Sequence, residues 1–220
     1  MEHVVCQRCR NRKERMDTLY LWLPVSAFIL GSCPFSLWLG RLFLHRDIRR
    51  YGDGNPGATN VFRAGSTPVG MLAVTLDIAK GVPFVFMTQH VFHLPLISTV
   101  GVAFAAMLGH AISPWLHFKG GKALAVTAGA VIGLTDATVF WSFFLSALLF
   151  FAILEDRPWI PILTPIISLA FLLISGSAGG YLIFMLGVFL LFAGKHVKEI
   201  EHGPRLKPRL ASIVPFRKSA

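Results

Sequence analysis

Charge is scarce in this sequence. Of its 220 residues only 15% are Asp, Glu, Lys or Arg, against about 25% in an ordinary soluble domain. The scarcity is uneven as well, since no such residue occurs from Gly81 to Phe118 or from Pro158 to Gly194. Each gap far exceeds the ~20 apolar residues one helix needs to cross a bilayer, so each is expected to hold more than one span. Cysteine is also rare. Cys6, Cys9 and Cys33 make no disulfide framework. Cys6 and Cys9, with His3 nearby, form only part of a zinc site that lacks a fourth ligand, so no metal is expected. The first apolar stretch, Thr18–Leu44, is expected to be a span and not a signal peptide, because it is too long and Pro34 and Gly40 interrupt it. No Ser-His-Asp arrangement, HEXXH motif or Walker loop appears, and no cofactor is implied.

Apolar sequence fills the space that charge leaves. Hydrophobic residues make up 54% of the chain, and mean hydropathy is +0.62. The reading is an all-α, polytopic membrane bundle of about seven helices. A basic tail over 1–17 precedes one transmembrane domain over 18–196, and a second basic tail covers 197–220. Spans are expected at Thr18–Leu44, Pro68–Gln89 and Leu96–Leu116. Two more divide Ala123–Leu154 at Thr135-Asp136, the first of them short, and the last two divide at Gly176–Gly180.

The formal net charge is +10. Nucleic-acid binding is one source of such an excess, but a membrane chain also concentrates Lys and Arg in its cytoplasmic loops, which accounts for the charge without nucleic acid. With seven spans, Arg41, Arg46, Arg49, Arg50, Arg63, Lys119, Lys122, Arg157 and the basic residues from Lys195 onward share one face. That face is expected to be cytoplasmic. The five basic residues of the N-terminal tail, from Arg8 to Arg15, fall on the other side and oppose the assignment.

The densest polar segment is Asp47–Gly65, DIRRYGDGNPGATNVFRAG. Glycines at 52, 54 and 57 allow positive φ and a nest of inward N–H groups that an anion can occupy. Asn55, Thr59 and Asn60 add neutral donors, and Arg46, Arg49, Arg50 and Arg63 add charge, a set suited to phosphate. The plain alternative is a flexible turn carrying positive-inside arginines. Lys119-Gly120-Gly121-Lys122 is a second such loop at the entry to a helix, where anions are favoured. Asp77 and Lys80, three apart in an apolar helix, share a face and are either a self-neutralising pair or part of a polar site. His110, at the end of its span, reads as a packing or hydrogen-bonding residue.

Five segments carry a family resemblance: GSCPFSLWLGR (Gly31–Arg41), DIRRYGDGNPGATN (Asp47–Asn60), LDIAKG (Leu76–Gly81), GHAISPWLHFKGGK (Gly109–Lys122) and KHVKEI (Lys195–Ile200). In content and order they resemble the bacterial acyl-phosphate-dependent glycerol-3-phosphate acyltransferases, from about Leu30 to Ile200. The resemblance implies a seven-span enzyme of the inner membrane that works in phospholipid biosynthesis. Such an enzyme moves an acyl group from acyl phosphate to the 1-hydroxyl of glycerol 3-phosphate, giving lysophosphatidate and phosphate. It also implies that Arg63, Lys119 and His196 are catalytic. Arg49, Gly54, Asn55, Gly57, Thr59, Asn60, Gly120, Gly121 and Lys122 would then bind phosphate. Membrane lipids are the surrounding partners.

The chain departs from the family pattern at several places. Asp53 stands where the family usually has the serine of GSGN, Ala123 replaces the last glycine of FKGGKG, and Glu199 replaces an asparagine after the tail histidine. A serine expected before the sixth span is not evident around Arg157–Pro161. A carboxylate facing phosphate would cost on the order of 4 kcal/mol at an effective dielectric near 20, unless it is protonated or paired with Arg49 or Arg63. Two other readings therefore stand beside the acyltransferase. One is a diverged member, inactive or using another acceptor, for instance a cationic one. The other is a transporter or binder of a phosphorylated solute, which would place its charges nearer the membrane midplane.

Overall fold

A computed structural model of the chain describes residues 2–155, 157–200 and 202–207, the side chains of 2–16 and 198 excepted. The thiols of Cys6 and Cys9 and the tail cations beyond Lys207 lie outside the described residues. The described residues are helical, with one isolated antiparallel bridge between Leu154 and Leu206. They form two compact units, Met1–Leu134 and Thr135–Ala220, dividing where the sequence places a helix boundary inside the expected single domain.

The first unit contains α1 (Glu2–Ser32), α2 (Phe35–Leu44), α3 (Ala58–Arg63), α4 (Thr67–Ala79), α5 (Pro83–Phe86), α6 (Leu96–Ala111) and α7 (Leu124–Leu134). The residues expected as an N-terminal tail continue the first helix. The span expected at Thr18–Leu44 is two helices rather than one. Pro34 has no N–H and disfavours helical geometry in the residue before it, so α1 stops at Ser32 and α2 restarts at Phe35. The break releases carbonyls that a continuous helix would have used, and Lys80 and Ser113 donate to them.

Helix α1 packs along α6, while α4 packs against α2, α3 and α7. Two glycines set the α1–α6 approach: a methyl at Gly31 would overlap the Ala106 carbonyl, and one at Gly109 the Phe28 carbonyl. Lipid offers little hydrophobic drive between helices, so close backbone contact through small residues does this work. A core of Leu37, Ile48, Val61, Ala64, Ala73 and Leu116 ties the loop after α2 to the helices beneath it.

The second unit contains α8 (Ala137–Ile153), α9 (Trp159–Ile174) and α10 (Gly179–His196), with α9 packed on both of the others. Asp136 caps α8 by accepting from the Val139 N–H. Between α8 and α9, Ser168 Oγ lies 3.0 Å from the Ser142 carbonyl and 3.4 Å from Ser146 Oγ. This is a buried polar contact of the kind that joins helices in lipid.

Among the described residues, four segments are long and apolar enough to cross a membrane: Asp17–Leu44, Thr67–Val91, Leu96–Leu116 and Gly179–His196. The apolar helices α7, α8 and α9 are shorter. Helix α7 has 11 residues, about half the length that a ~30 Å hydrocarbon core requires at ~1.5 Å per residue. Large apolar side chains such as Trp22, Leu42, Leu148, Ile174 and Leu190 lie on the outside of these helices. The chain is an all-helical integral membrane protein, and that outer surface is the one lipid covers.

Candidate active site

The first glycine-rich loop begins with an ion pair internal to it. Asp47 caps a short 3-10 turn, Ile48–Arg50, and accepts from the Arg49 backbone N–H at 3.0 Å. The Arg49 guanidinium closes on the same carboxylate, Nε to Oδ1 at 2.9 Å and Nη2 to Oδ2 at 2.6 Å, and Arg41 adds a contact at 3.3 Å. These partners, the Arg49 hydrogen bond first, hold the Asp47 carboxyl well below the usual carboxylate range and raise Arg49. Arg49, expected to bind phosphate or to neutralise Asp53, is engaged by Asp47 instead. The spacing Asp47-x-Arg49 was the available signal for it. Arg46 is also committed, donating to the Ala64 carbonyl at the end of α3.

Gly52 and Gly54 take positive φ, +56° and +72°, as a nest requires. Gly57 does not: its φ is −105°, an extended N-cap to α3, so of the three expected positions two need glycine for backbone reasons. Gly52 also leaves room for neighbours, because a methyl there would overlap Arg63 Nη1. Arg63 Nη1 donates to Asn60 Oδ1 at 3.2 Å, and Asn60 Nδ2 donates to the Asn55 carbonyl at 2.8 Å. Asn60 is fully buried and Thr59 exposed on α3.

Asp53 lies at the centre of this nest. Its Oδ1 accepts from the Asn55 N–H at 3.2 Å and from Asn60 Nδ2 at 2.9 Å, while Oδ2 accepts from Lys122 Nζ at 2.6 Å. Arg63 Nη1 is 3.8 Å from Oδ1. Burial works against the charge, but the hydrogen bond from Lys122 and those from Asn55 and Asn60 outweigh it, and the carboxyl is held down at about 2. Asp53 is therefore ionised at neutral pH and paired chiefly with Lys122, a partner the sequence did not indicate, and at 3.8 Å with Arg63, one of the two expected.

Lys122 reaches the nest because the KGGK loop folds onto His110. The Gly121 N–H donates to the His110 carbonyl at 3.0 Å. Gly120 and Gly121 press against the His110 carbonyl and ring, where side chains would overlap. His110 is buried and serves as the support for this loop. His117, Phe118 and Ala123 all have left-handed backbone, so the loop turns tightly before α7. Lys119 is exposed and forms no ion pair among the described residues.

Beneath the loops, Lys80 Nζ pairs with Asp77 Oδ1 at 2.7 Å and donates to the Cys33 carbonyl at 2.8 Å. Ser36 Oγ donates to Asp77 Oδ2 at 2.5 Å. All of these side chains are buried. Next to them Ser113 Oγ donates to the Ser32 carbonyl at 2.6 Å, and Trp115 Nε1 donates to Ser32 Oγ at 3.1 Å. Asp77 and Lys80 thus form the self-neutralising pair, and the helix break at Pro34 supplies the carbonyls to which Lys80 and Ser113 donate. Ser32, Ser36 and Ser113 were not singled out from the sequence, though each sits inside a recognised motif.

In the second unit His196 is buried at the end of α10, its Nδ1 2.9 Å from the Phe192 carbonyl. A carbonyl only accepts, so Nδ1 carries a proton and donates to it. Glu199 follows in a short 3-10 turn, Val197–Glu199. Arg157 lies over the Phe151 ring at 4.4 Å.

The chain matches the family described as glycerol-3-phosphate acyltransferase over residues 21–203. It is 31% identical to a glycerol-3-phosphate acyltransferase of Lactococcus lactis subsp. cremoris (strain MG1363), covering 90% of this chain and 94% of that one. It is 30% identical, at the same coverage, to one of Streptococcus pyogenes serotype M5 (strain Manfredo). Two crystal structures of PlsY (YgiH), an integral membrane glycerol 3-phosphate acyltransferase, resemble it. The glycerol 3-phosphate form gives a TM-score of 0.75 at 27% identity, over 90% of this chain and 99% of that one. The lysophosphatidic acid form gives 0.71 at 27% identity, over 82% and 89%.

Proposed function

The chain belongs to the glycerol-3-phosphate acyltransferase family, and from that membership we propose that it transfers an acyl group from acyl phosphate to the 1-hydroxyl of glycerol 3-phosphate. The observation that carries the reading is the meeting of two basic glycine-rich loops at Asp53 and Lys122, 2.6 Å apart, with Asn55, Asn60 and Arg63 around them. Both substrates carry phosphate, and the loops present backbone N–H, amide, guanidinium and ammonium donors suited to it.

In the proposed reaction the 1-hydroxyl oxygen attacks the acyl carbonyl carbon. The bond from that carbon to the phosphate oxygen breaks, and inorganic phosphate leaves with the electron pair. Arg63, Lys119 and Lys122 hold phosphate and offset the charge that grows on the leaving group, so rate comes mainly from positioning and electrostatics. The hydroxyl proton passes to a phosphate oxygen of the bound substrate, which is near enough to the attacking group to accept it. The loops and the C-terminal end face the cytoplasm of the inner membrane, a placement supported by the positive-inside count.

Purified protein in lipid, given acyl phosphate and glycerol 3-phosphate, is expected to form lysophosphatidate and release phosphate. Absence of both products beside a working family member would refute the reading. The alternative of a cationic acceptor drawn to Asp53 loses support, because Lys122 already neutralises that carboxylate.

A further inference from the structure

A carboxylate at the centre of a phosphate nest uses the donors a phosphate would need. Asp53 draws on Lys122 Nζ, the Asn55 N–H and Asn60 Nδ2, with Arg63 Nη1 at 3.8 Å. Its two oxygens are divided between the donors of one loop and the lysine of the other, as two oxygens of a phosphate group would be. The resemblance to an anionic ligand is geometric as well as electrostatic. An arriving phosphate dianion meets donors that the Asp53 carboxylate already satisfies.

We propose that Asp53 is a built-in competitor for phosphate: it holds Lys122 at the nest and must be displaced from it when a phosphorylated ligand binds. Asp53 thereby sets the affinity of the site. A ligand with only a phosphate to offer, such as inorganic phosphate, gains least from the exchange. One that brings further contacts is favoured over it. The inference rests on the nest being the phosphate site of the proposed reaction, and it makes Asp53 a specificity-determining residue in place of an impaired one.

Two sets of measurements on the full chain in lipid nanodiscs test this. The first is titration with inorganic phosphate. Asp53→Asn keeps the shape and the contacts to Asn55 and Asn60 but removes the charge, and Asp53→Ser removes the competitor. Both are expected to bind phosphate at least about 10-fold tighter than wild type, a change of about 1.4 kcal/mol. Adding Lys122→Met to Asp53→Asn is expected to abolish the gain, which a merely structural role for Asp53 would not predict. Unchanged or weaker binding in a variant with wild-type thermal unfolding overturns the proposal.

The second measurement needs no variant. Saturating phosphate is expected to increase modification of Asp53 in the wild-type chain by a carboxyl-directed label, read by peptide mass spectrometry. Protection or no change overturns the proposal as well. Turnover separates the two ideas: tighter binding without acyl transfer in any variant sinks the acyltransferase reading alone, and transfer with unchanged phosphate affinity sinks the competitor alone.

Discussion

Lys80 donates to the main-chain carbonyl of Cys33 at 2.8 Å, joining the end of the α4 segment to the break between α1 and α2. The lysine is buried, and its charge is met by Asp77, which Ser36 in turn holds. A charge in this position persists only because it is paired and hydrogen-bonded, and Lys80 shares the Cys33 carbonyl with the Phe35 N–H at 3.0 Å.

Lys80→Met is expected to destabilise the protein by about 3–5 kcal/mol, since Asp77 is left buried without its countercharge. Asp77→Leu combined with Lys80→Met should recover most of that loss, since the Cys33 carbonyl still accepts from the Phe35 N–H at 3.0 Å. Chemical unfolding in detergent compares the single and double variants. A double variant as unstable as the single would show that the charges do not act as a pair.

Ala123 holds φ +64° where the family pattern has glycine, and it is buried. Left-handed geometry costs a non-glycine residue about 1–2 kcal/mol. Glycine would relieve that, but it adds about 0.5–1 kcal/mol of backbone entropy and removes a buried methyl worth about 0.8 kcal/mol. Ala123→Gly should therefore change stability by less than about 1 kcal/mol. Ala123→Val, β-branched in the same conformation, is expected to be clearly destabilising by thermal unfolding.

Gly120 and Gly121 differ in what a methyl would strike. At Gly120 it meets the His110 and Ala111 backbone, and at Gly121 the His110 ring. A ring can turn aside, whereas backbone within a packed helix end cannot. Gly120→Ala is expected to be the more damaging by about 1–3 kcal/mol, lowering both thermal stability and phosphate binding. Equal effects would contradict the placement of the loop on His110.

The depressed carboxyls fix a pH window. Asp53 is held at about 2 and Asp47 is also lowered, so their contribution is present above the unfolded value near ~3.9 and is lost as pH falls toward about 2. Both sites are partly exposed, and solvent screening reduces the size of the effect. Between pH ~5 and ~8 these groups should give no slope in stability. Below about pH 4 the wild type should lose stability faster than Asp53→Asn, followed by thermal unfolding at each pH.

Membrane orientation is open to thiol chemistry. With Cys6, Cys9 and Cys33 replaced by alanine, Thr59→Cys in the exposed part of the first loop should react with an impermeant reagent in inverted vesicles. In right-side-out vesicles it should be protected. The reverse pattern would place the loops outside.

Much of the helical layout could be read from charge-free runs and their punctuation. The divisions at Thr135-Asp136 and Gly176–Gly180 became the ends of α7, α8, α9 and α10 because cap and turn residues act locally. The break at Pro34 was visible as an interruption, but its consequence was not. The carbonyls it releases find partners 47 and 81 positions away, in Lys80 and Ser113.

Composition and periodicity by themselves determined that this chain lives in a membrane as helices, because a bilayer admits few other solutions for a backbone without charge. The motifs likewise picked out the two polar loops that meet at Asp53 and Lys122. Which cation meets which anion was decided only by the tertiary structure. Arg49 lay nearest Asp53 in the list of expected partners, yet Asp47 claims it two residues away. Lys122, 69 positions from Asp53, comes within 2.6 Å, because the KGGK loop rests on His110 and Gly52 leaves room beside Arg63. Charge pairing depends on distance in space, and that distance is set by the packing of helices between the two loops.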